Sequence, residues 1–331
     1  MIGRALRRLA WVPFVVWACV TLSFGLSHVL PSDPARLIAG AQARPQDVEK
    51  IRAQLGLGAP VFVQYARFLS RVLHVSTKEG PHDSCTAMGP VHVDLGKSYQ
   101  QRRPVVTILA ERLPRTFALA AAALLLQLGM GVAAGVVQAQ RPNGASNRGL
   151  FGLGLLLVSA PTYLTGLLLQ YVFGHRLGVL PLDGFGETFA EHARSIVLPA
   201  LTLGLFGAAY YARIVKDDLG RQLRMDFVRT ARAKGSSSLR ATLVHALRAS
   251  LLPLVTLVGL DFGALLGGAV VTETVFRWPG IGSLAATAVL DRDGPVVMGT
   301  VLLSSAFVAL LSALTDISYG FLDPRLRRSA K

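Results

Sequence analysis

The chain has 331 residues, of which 52% are hydrophobic and 16% are charged, and its mean hydropathy of +0.47 excludes an ordinary soluble domain. Its formal net charge is +15. The basic residues lie mainly between apolar runs, so the charge indicates membrane topology and argues against a nucleic-acid partner.

Apolar residues form runs long enough to cross a bilayer core, which takes about 20 helical residues. None alternates apolar and polar residues with period two, so a β-barrel is disfavoured and the sequence predicts an all-α membrane protein of about six transmembrane helices. The runs are Leu9 to Val29, Phe117 to Val137, Leu150 to Phe173, Ile196 to Ile214, Leu251 to Val271 and Val296 to Ile317.

The first run has one alternative interpretation, a secretory signal peptide. Arg4, Arg7 and Arg8 precede the run, and Ala39 and Ala41 form a small-residue pair after it. The run is longer than the usual apolar part of a signal peptide, and the pair lies far beyond it. A first transmembrane helix preceded by a short interfacial segment is the prediction.

Lys and Arg in short loops set the orientation of membrane helices. Basic residues between the second and third runs, between the fourth and fifth, and in the tail (Arg325, Arg327, Arg328 and Lys331) predict that both termini are cytoplasmic. The predicted parts are an N-terminal segment with the first helix (1–30), an extracytoplasmic insertion (31–114), a five-helix core (115–320) with a cytoplasmic loop (213–250), and a cytoplasmic tail (321–331).

The insertion has two segments with helical periodicity, Asp47 to Leu55 and Pro60 to Val75. The composition from Ser76 to Pro90 turns to Gly, Pro, Ser, Thr, Asp and Cys, which predicts a loop.

Motifs for catalysis or metal binding are missing from the sequence. Gly96-Lys97-Ser98 resembles the end of a phosphate-binding loop, but the required glycine five residues before is Val91, so the match is accidental. The histidines are scattered without ligand spacing. We therefore predict a chain that is not an enzyme and holds no cofactor or metal.

The cytoplasmic loop at 213–250 is the most informative segment. Helix-forming residues from Asp226 lead to Gly235, serines follow, and a second helical stretch leads to Leu252-Pro253 at the next apolar run. Two short helices joined at a glycine predict a compact knob, which is a suitable contact for a cytoplasmic motor.

This loop resembles that of binding-protein-dependent ABC importer permeases, and most closely that of the dipeptide, oligopeptide and nickel branch, in the subunit with a large first periplasmic loop. The similarity extends over nearly the whole chain. It is carried by Leu30-Pro31-Ser32-Asp33-Pro34, Gln54-Leu55-Gly56-Leu57, Val63-Gln64-Tyr65, Asp94 to Tyr99, Glu111-Arg112-Leu113-Pro114, Leu198-Pro199-Ala200, Arg229 to Gly235, Val271 to Phe276, Trp278-Pro279-Gly280, Asp316, Tyr319 and Asp323-Pro324-Arg325.

Two features depart from the broader pattern. Arg229-Thr230-Ala231 stands where the wider importer class has Glu-Ala-Ala, a form typical of the peptide branch. The segment from Ser76 to His92 is an insertion relative to shorter members.

The resemblance implies a type I importer bundle that works by alternating access. It implies partners that this chain lacks: a second homologous permease, two ATP-hydrolysing subunits that bind ATP and Mg²⁺, and an extracytoplasmic substrate-binding protein. The implied cargo is peptides, with nickel or another small solute as the alternative. A secondary transporter or channel and a membrane-bound enzyme are the rival functions.

The resemblance also implies roles for particular residues. The residues expected to contact the ATPases are Arg229, Thr230, Ala231, Arg232, Lys234 and Gly235. The alternative for the basic ones is that they hold the loop at the anionic inner leaflet.

Polar residues in or beside the spans give further candidates. Asp261 and Gln127 could line the translocation pathway or a gate, or could make structural interhelical hydrogen bonds. The residues expected to face the binding protein are Glu273, Phe276, Trp278 and Pro279, and a re-entrant turn sealed by Trp278 is the alternative.

Overall fold

The computed structural model describes residues 2–29, 34–40, 42–54, 56–72, 74–75, 86–88 and 91–322. The family-like residues Leu30 to Asp33 and Leu55 lie outside these residues, as does the predicted tail at 321–331 beyond residue 322. The helices are α1 Ile2–Val29, α2 Pro34–Ala39, α3 Pro45–Gln54, α4 Val61–Val72, α5 Val105–Gln140, α6 Ala145–Ser159, α7 Thr162–Leu169, α8 Phe189–Ser195, α9 Val197–Gln222, α10 Asp226–Ala233, α11 Ser238–Arg240, α12 Leu247–Ser250, α13 Leu252–Leu266, α14 Val270–Val275, α15 Ile281–Leu290 and α16 Gly294–Leu322. Two π-helical segments, Gln170–Arg176 and Ala241–Ala246, continue α7 and precede α12.

All six predicted apolar runs are helical, but they are not six equal spans. By length and composition, four helices in the described part of the chain can each cross a membrane, and five can if a bent pair counts as one span. The bent pair is α6 with α7 and its π-helical extension, at 109°. Pro161 stands at the break, where its missing N–H and its fixed φ interrupt a continuous helix.

The predicted fifth run is also shorter than a full span. Helix α13 has 15 residues, about 22 Å at 1.5 Å per residue, and ends at Leu266, with Gly267 as its C-cap. The chain then turns through Gly268, whose φ is +111°, and α14 starts in a new direction. A Cβ at Gly268 would lie 2.8 Å from the Gly282 backbone, so only glycine allows this close turn.

Helices α5 and α9 pack closely together, because glycines let their backbones approach. We call this helix pair the spine of the bundle. A Cβ at Gly131 would lie 2.6 Å from the Tyr211 Cβ, and one at Gly135 would lie 2.6 Å from the Val215 Cβ. Small residues at helix interfaces are the usual means of close packing in membranes. Helix α16 packs along both α1 and α13.

The insertion contains a small sheet, which corrects the sequence-based expectation. The two predicted helices are present as α3 and α4, but the second does not reach Val75 as predicted, because His74–Val75 form strand β1. Strands β1, β2 Thr86–Met88 and β3 Val91–Val93 form an antiparallel sheet in the order β1-β3-β2. The predicted loop from Ser76 to Pro90 therefore contains β2. Ala87 pairs with His92, which is close to it in sequence. Val75 pairs with Val91, which is farther along the chain, and local composition does not reveal that pairing.

Two clusters of buried side chains hold the ends of the bundle. The first, at the insertion end, joins the segment after β3 to α5, α15 and α16; it contains Leu95, Val105, Ile108, Leu109, Ile281, Leu284, Ala288 and Val296. The second, at the α10 end, joins α9, α10, the second π-helical segment and α13; it contains Tyr211, Val215, Leu219, Val228, Ala241, Ala246 and Leu254. The bundle is thus fixed at both ends to non-spanning segments.

Candidate functional site

Helix α10 is a short amphipathic helix held to the bundle by one residue. Val228 is its only buried side chain, and it packs in the cluster with Val215 and Leu219 of α9 and Ala241 of the π-helical segment. Asp226 lies in the first turn, where a carboxylate is favourable at the positive end of the helix. The other side chains of α10 are exposed, except that of Ala231, which is half-buried.

Gly235 ends α10 in the way that the sequence predicts, although the helix itself stops at Ala233. Its φ is +90°, its N–H donates to the Arg232 carbonyl over 2.9 Å, and the Ser236 N–H donates to the Ala231 carbonyl over 3.1 Å. This pair of bonds is the Schellman arrangement, which favours glycine at the left-handed position. Ser237 then caps α11 by accepting from the Arg240 N–H.

The predicted coupling residues lie together on the surface of this knob. Arg229, Thr230, Arg232, Lys234 and Gly235 are exposed, and Ala231 is half-buried. The ion pair of Arg229 with Asp226, at 3.5 Å, is itself exposed and contributes little to stability.

Apolar side chains are exposed on the same knob as these basic residues. Phe227, Leu239, Leu243 and Val244 are exposed, so the knob presents a mixed basic and apolar surface. We call Phe227, Arg229, Arg232, Lys234, Leu239, Leu243 and Val244 the coupling surface. An exposed apolar patch with a charged rim is typical of a protein-binding surface.

Glu273 lies inside the chain rather than on its outer surface. It is fully buried: Thr116 donates to its Oε1 over 3.2 Å, and the Ser283 N–H donates to its Oε2 over 2.8 Å. The Thr116 hydroxyl in turn accepts from the Ile281 N–H over 2.8 Å. The carboxylate therefore ties α5, α14 and α15 together.

Two of the other predicted outward-facing residues are buried as well. Phe276 and Trp278 are almost fully covered, and Pro279 is half-buried. The Trp278 indole N–H donates to the Arg115 carbonyl over 3.1 Å, and its ring meets Phe185 edge-on at 4.9 Å. Trp278 thus covers the turn between α14 and α15. This arrangement corresponds to the alternative prediction, a turn sealed by Trp278. A direct contact of Glu273, Phe276 or Trp278 with another protein would need a different conformation.

The two polar candidates in the spans bridge neighbouring helices. The Gln127 Nε2 donates to the Leu203 carbonyl over 3.3 Å, whereas its Oε1 is buried without a partner in the described part of the chain. Asp261 accepts from the Tyr211 hydroxyl over 2.7 Å at its Oδ2. Gln127 is buried against Gly207, whereas Asp261 is partly exposed. Of these two polar side chains, only that of Asp261 is exposed enough for a ligand to reach it.

Asp293 and the segment at 98–100 form a polar cluster at the insertion end that the sequence did not predict. We call this cluster the clasp. Asp293 is buried and accepts from the Ser98 hydroxyl, from the Tyr99 N–H over 3.1 Å and from the Gln100 N–H over 3.3 Å. Burial, with the nearby Asp293 carboxylate, raises the pKa of the Tyr99 phenol above its usual range. The position of Asp293 before Gly294 and Pro295 at the start of α16 is a helix-start signal that could have identified it.

Two family models match nearly the whole chain, apart from residues 121–130 and 329–331. A family model described as "Binding-protein-dependent transport system inner membrane component" matches residues 131–328. A second, which describes the N-terminal part of such membrane components, matches residues 1–120. Together they include the insertion, the spans and the knob.

Curated relatives and one solved structure are also similar to the chain. A protein of Brucella abortus (strain 2308) named as a peptide transport system permease is 36% identical over 330 residues, 99% of each chain. A glutathione transport system permease of Escherichia coli K12 is 36% identical over 327 residues, again 99% of each chain. A chain of the methionine ABC transporter MetNI, in an inward-facing conformation, matches with a TM-score of 0.55 at 18% identity; the match covers 66% of this chain and 98% of that one. That structural match supports the fold alone.

Proposed function

Because the chain belongs to the family of binding-protein-dependent transport system inner membrane components, we propose that it is the permease subunit of an ATP-driven importer of peptides. It would assemble with a second homologous permease, two ATP-hydrolysing subunits and an extracytoplasmic binding protein. ATP and Mg²⁺ would be bound by the ATPases, and this chain would contribute the pathway and its movement. Closure of the ATPase dimer would drive alternation between inward-open and outward-open states.

The observation that carries the proposal is the coupling surface. Helix α10 is anchored by Val228 and presents basic and apolar side chains with no cover in the described chain. Its anchor packs on α9, so a force applied to α10 reaches the spine of the bundle directly. The alternative, in which the basic side chains only hold the loop at the inner leaflet, would place exposed Leu239, Leu243 and Val244 against lipid instead of against a protein.

Peptide cargo is supported by the names of the relatives, one for peptides and one for glutathione, which is itself a small peptide. Nickel or another small solute is the second candidate. No group of three or more His, Cys, Asp or Glu is placed to hold a metal ion among the described residues. A metal ion released from a binding protein would have to pass without such a site, which favours the peptide.

The test is uptake by the reconstituted complex. This chain, its second permease and the ATPases would be placed in liposomes with the binding protein and labelled trialanine. We expect uptake that requires ATP hydrolysis. Uptake that persists without hydrolysis would show a channel or secondary transporter, and ATP-dependent uptake of nickel but of no peptide would favour the second candidate.

A further inference from the structure

Asp261 is an ionisable residue within an apolar helix. Helix α13 is otherwise made of apolar residues, glycine and one threonine, apart from its proline at the start. A charged side chain at this depth is costly, and such residues face a bundle interior or a water-filled cavity rather than lipid. The surroundings of Asp261 therefore decide what it can do.

The packing of α13 fixes the side from which Asp261 projects. Gly259 and Gly263 lie against α16, at Thr315 and at Leu311. Asp261 is two residues from each glycine, about 200° around the helix, so it projects from the opposite side. On that side, Tyr211 of α9 meets it.

Tyr211 orients one oxygen of the carboxylate and leaves the other available. Tyr211 is fully buried, and its Cβ packs at Gly131 of α5, so its hydroxyl has a fixed position from which it donates to Asp261 Oδ2 over 2.7 Å. Oδ1 accepts no hydrogen bond from the part of the chain that the structure describes, and Asp261 makes no ion pair there. The side chain is partly exposed, beside exposed Leu260 and Ala264.

We infer that Asp261, held by Tyr211, is a binding residue of the translocation pathway that pairs with a cationic group of the substrate, such as the terminal ammonium of a peptide. A carboxylate with one oxygen fixed and one free accepts a charge-assisted hydrogen bond from an ammonium, which is stronger than a neutral one. This inference rests on the proposed function. The inference adds to the proposed function a binding residue, Asp261, and the kind of substrate group that it pairs with, a cation. Tyr211 acts as a positioning residue.

The experiment compares three variants in the reconstituted complex with labelled trialanine and trilysine. Asp261→Asn keeps an oxygen that can accept from Tyr211 but removes the charge. Tyr211→Phe keeps the charge but removes the orienting bond. Glu187→Gln makes the same charge change at an exposed position in the outer loop and serves as the matched control.

We expect Asp261→Asn to lower the uptake rate of trialanine about 10-fold or more, since a hydrogen bond to a charged group contributes about 1.5–3 kcal/mol and 1.4 kcal/mol is tenfold. The loss should be larger for trilysine, which has more cationic groups. Tyr211→Phe should lower uptake less, and Glu187→Gln should have no effect. Co-purification of the second permease should be the same for all variants.

Three results would overturn the inference. Normal uptake by Asp261→Asn with a strong loss in Tyr211→Phe would show that the pair only locks the helices. Loss of the second permease from the Asp261→Asn complex would show that the free oxygen pairs with that subunit instead. A wild-type complex that hydrolyses ATP but carries no peptide would reject the proposed function, and this inference with it.

Discussion

Two individual residues, Glu273 and Gly235, act through the hydrogen bonds that they make or allow. Glu273 accepts from Thr116 and from the Ser283 N–H while fully buried, and Gly235 allows the two bonds that end α10. Both residues lie in segments that resemble motifs of the family, but their physical roles differ. Glu273 holds three helices together from within, whereas Gly235 shapes a surface.

Glu273→Ala should destabilise the chain by about 3 kcal/mol, because each buried donor left without an acceptor costs about 1–3 kcal/mol. The unfolding midpoint of the purified protein in detergent should fall. Glu187→Ala, at an exposed site, should leave the midpoint unchanged. An unchanged midpoint in Glu273→Ala would contradict the structural role.

Gly235→Ala should impair coupling although the added methyl group has open space around it. A left-handed conformation costs an L-residue about 1–2 kcal/mol, which would lower the population of the correct knob and reduce ATP-dependent peptide uptake by a factor of about 5–30. Gly149→Ala, in open space on α6, is the matched control. Equal uptake by the two variants would show that the turn at Gly235 does not matter for transport.

At the scale of elements, short segments are fixed to the long helices through few contacts. Helix α10 depends on Val228, and the segment after β3 depends on the clasp at Asp293. Each attachment joins a non-spanning segment to a spanning one, so movement of one is transmitted to the other. Single substitutions can therefore release a whole element.

Asp293→Ala should release the segment at 98–100 from the start of α16. Hydrogen exchange at the Tyr99 and Gln100 amides, followed by mass spectrometry, should become about 10- to 100-fold faster, since bonds to a charged group contribute about 1.5–3 kcal/mol. Asp291→Ala is the control, because Asp291 contacts Gln100 through its backbone carbonyl. Unchanged exchange in Asp293→Ala would mean that apolar packing around Leu95 suffices.

Val228→Ala should loosen α10 from the bundle. Removing two buried carbon atoms and leaving a small cavity costs about 2 kcal/mol, so the α10 amides should exchange about tenfold faster or more. Val289→Ala, at an exposed position on α15, should not change them. Full protection of α10 in Val228→Ala would show a second anchor.

At the scale of the whole molecule, the chain is polarised between its two ends. The coupling surface lies at one end of the bundle, and the insertion with its clasp lies at the other. Since basic short loops mark the cytoplasmic side, we propose that the α10 end and both termini face the cytoplasm. Energy would then enter at one end of the bundle and cargo at the other.

This orientation can be tested by labelling single cysteines after Cys19 and Cys85 are replaced. A membrane-impermeant maleimide added to intact spheroplasts should label Glu187→Cys in the outer loop. It should label Asn143→Cys, in the loop between α5 and α6, only after the membrane is permeabilised. The reverse pattern would invert the proposed topology.

The amino-acid sequence by itself determined the class of protein, the helical runs and the knob around Gly235. Apolar length, basic loops and a helix-ending glycine act locally, so they can be read along the chain. The helices α3 and α4 of the insertion could be predicted from the sequence for the same reason.

Only the tertiary structure decided how distant segments meet. The pairing of β3 with β1, the burial of Glu273 and Trp278, the bond from Tyr211 to Asp261 and the clasp at Asp293 each join residues that are not neighbours in sequence. A buried polar group needs a partner, but local pattern does not reveal which one, because that depends on how the helices pack.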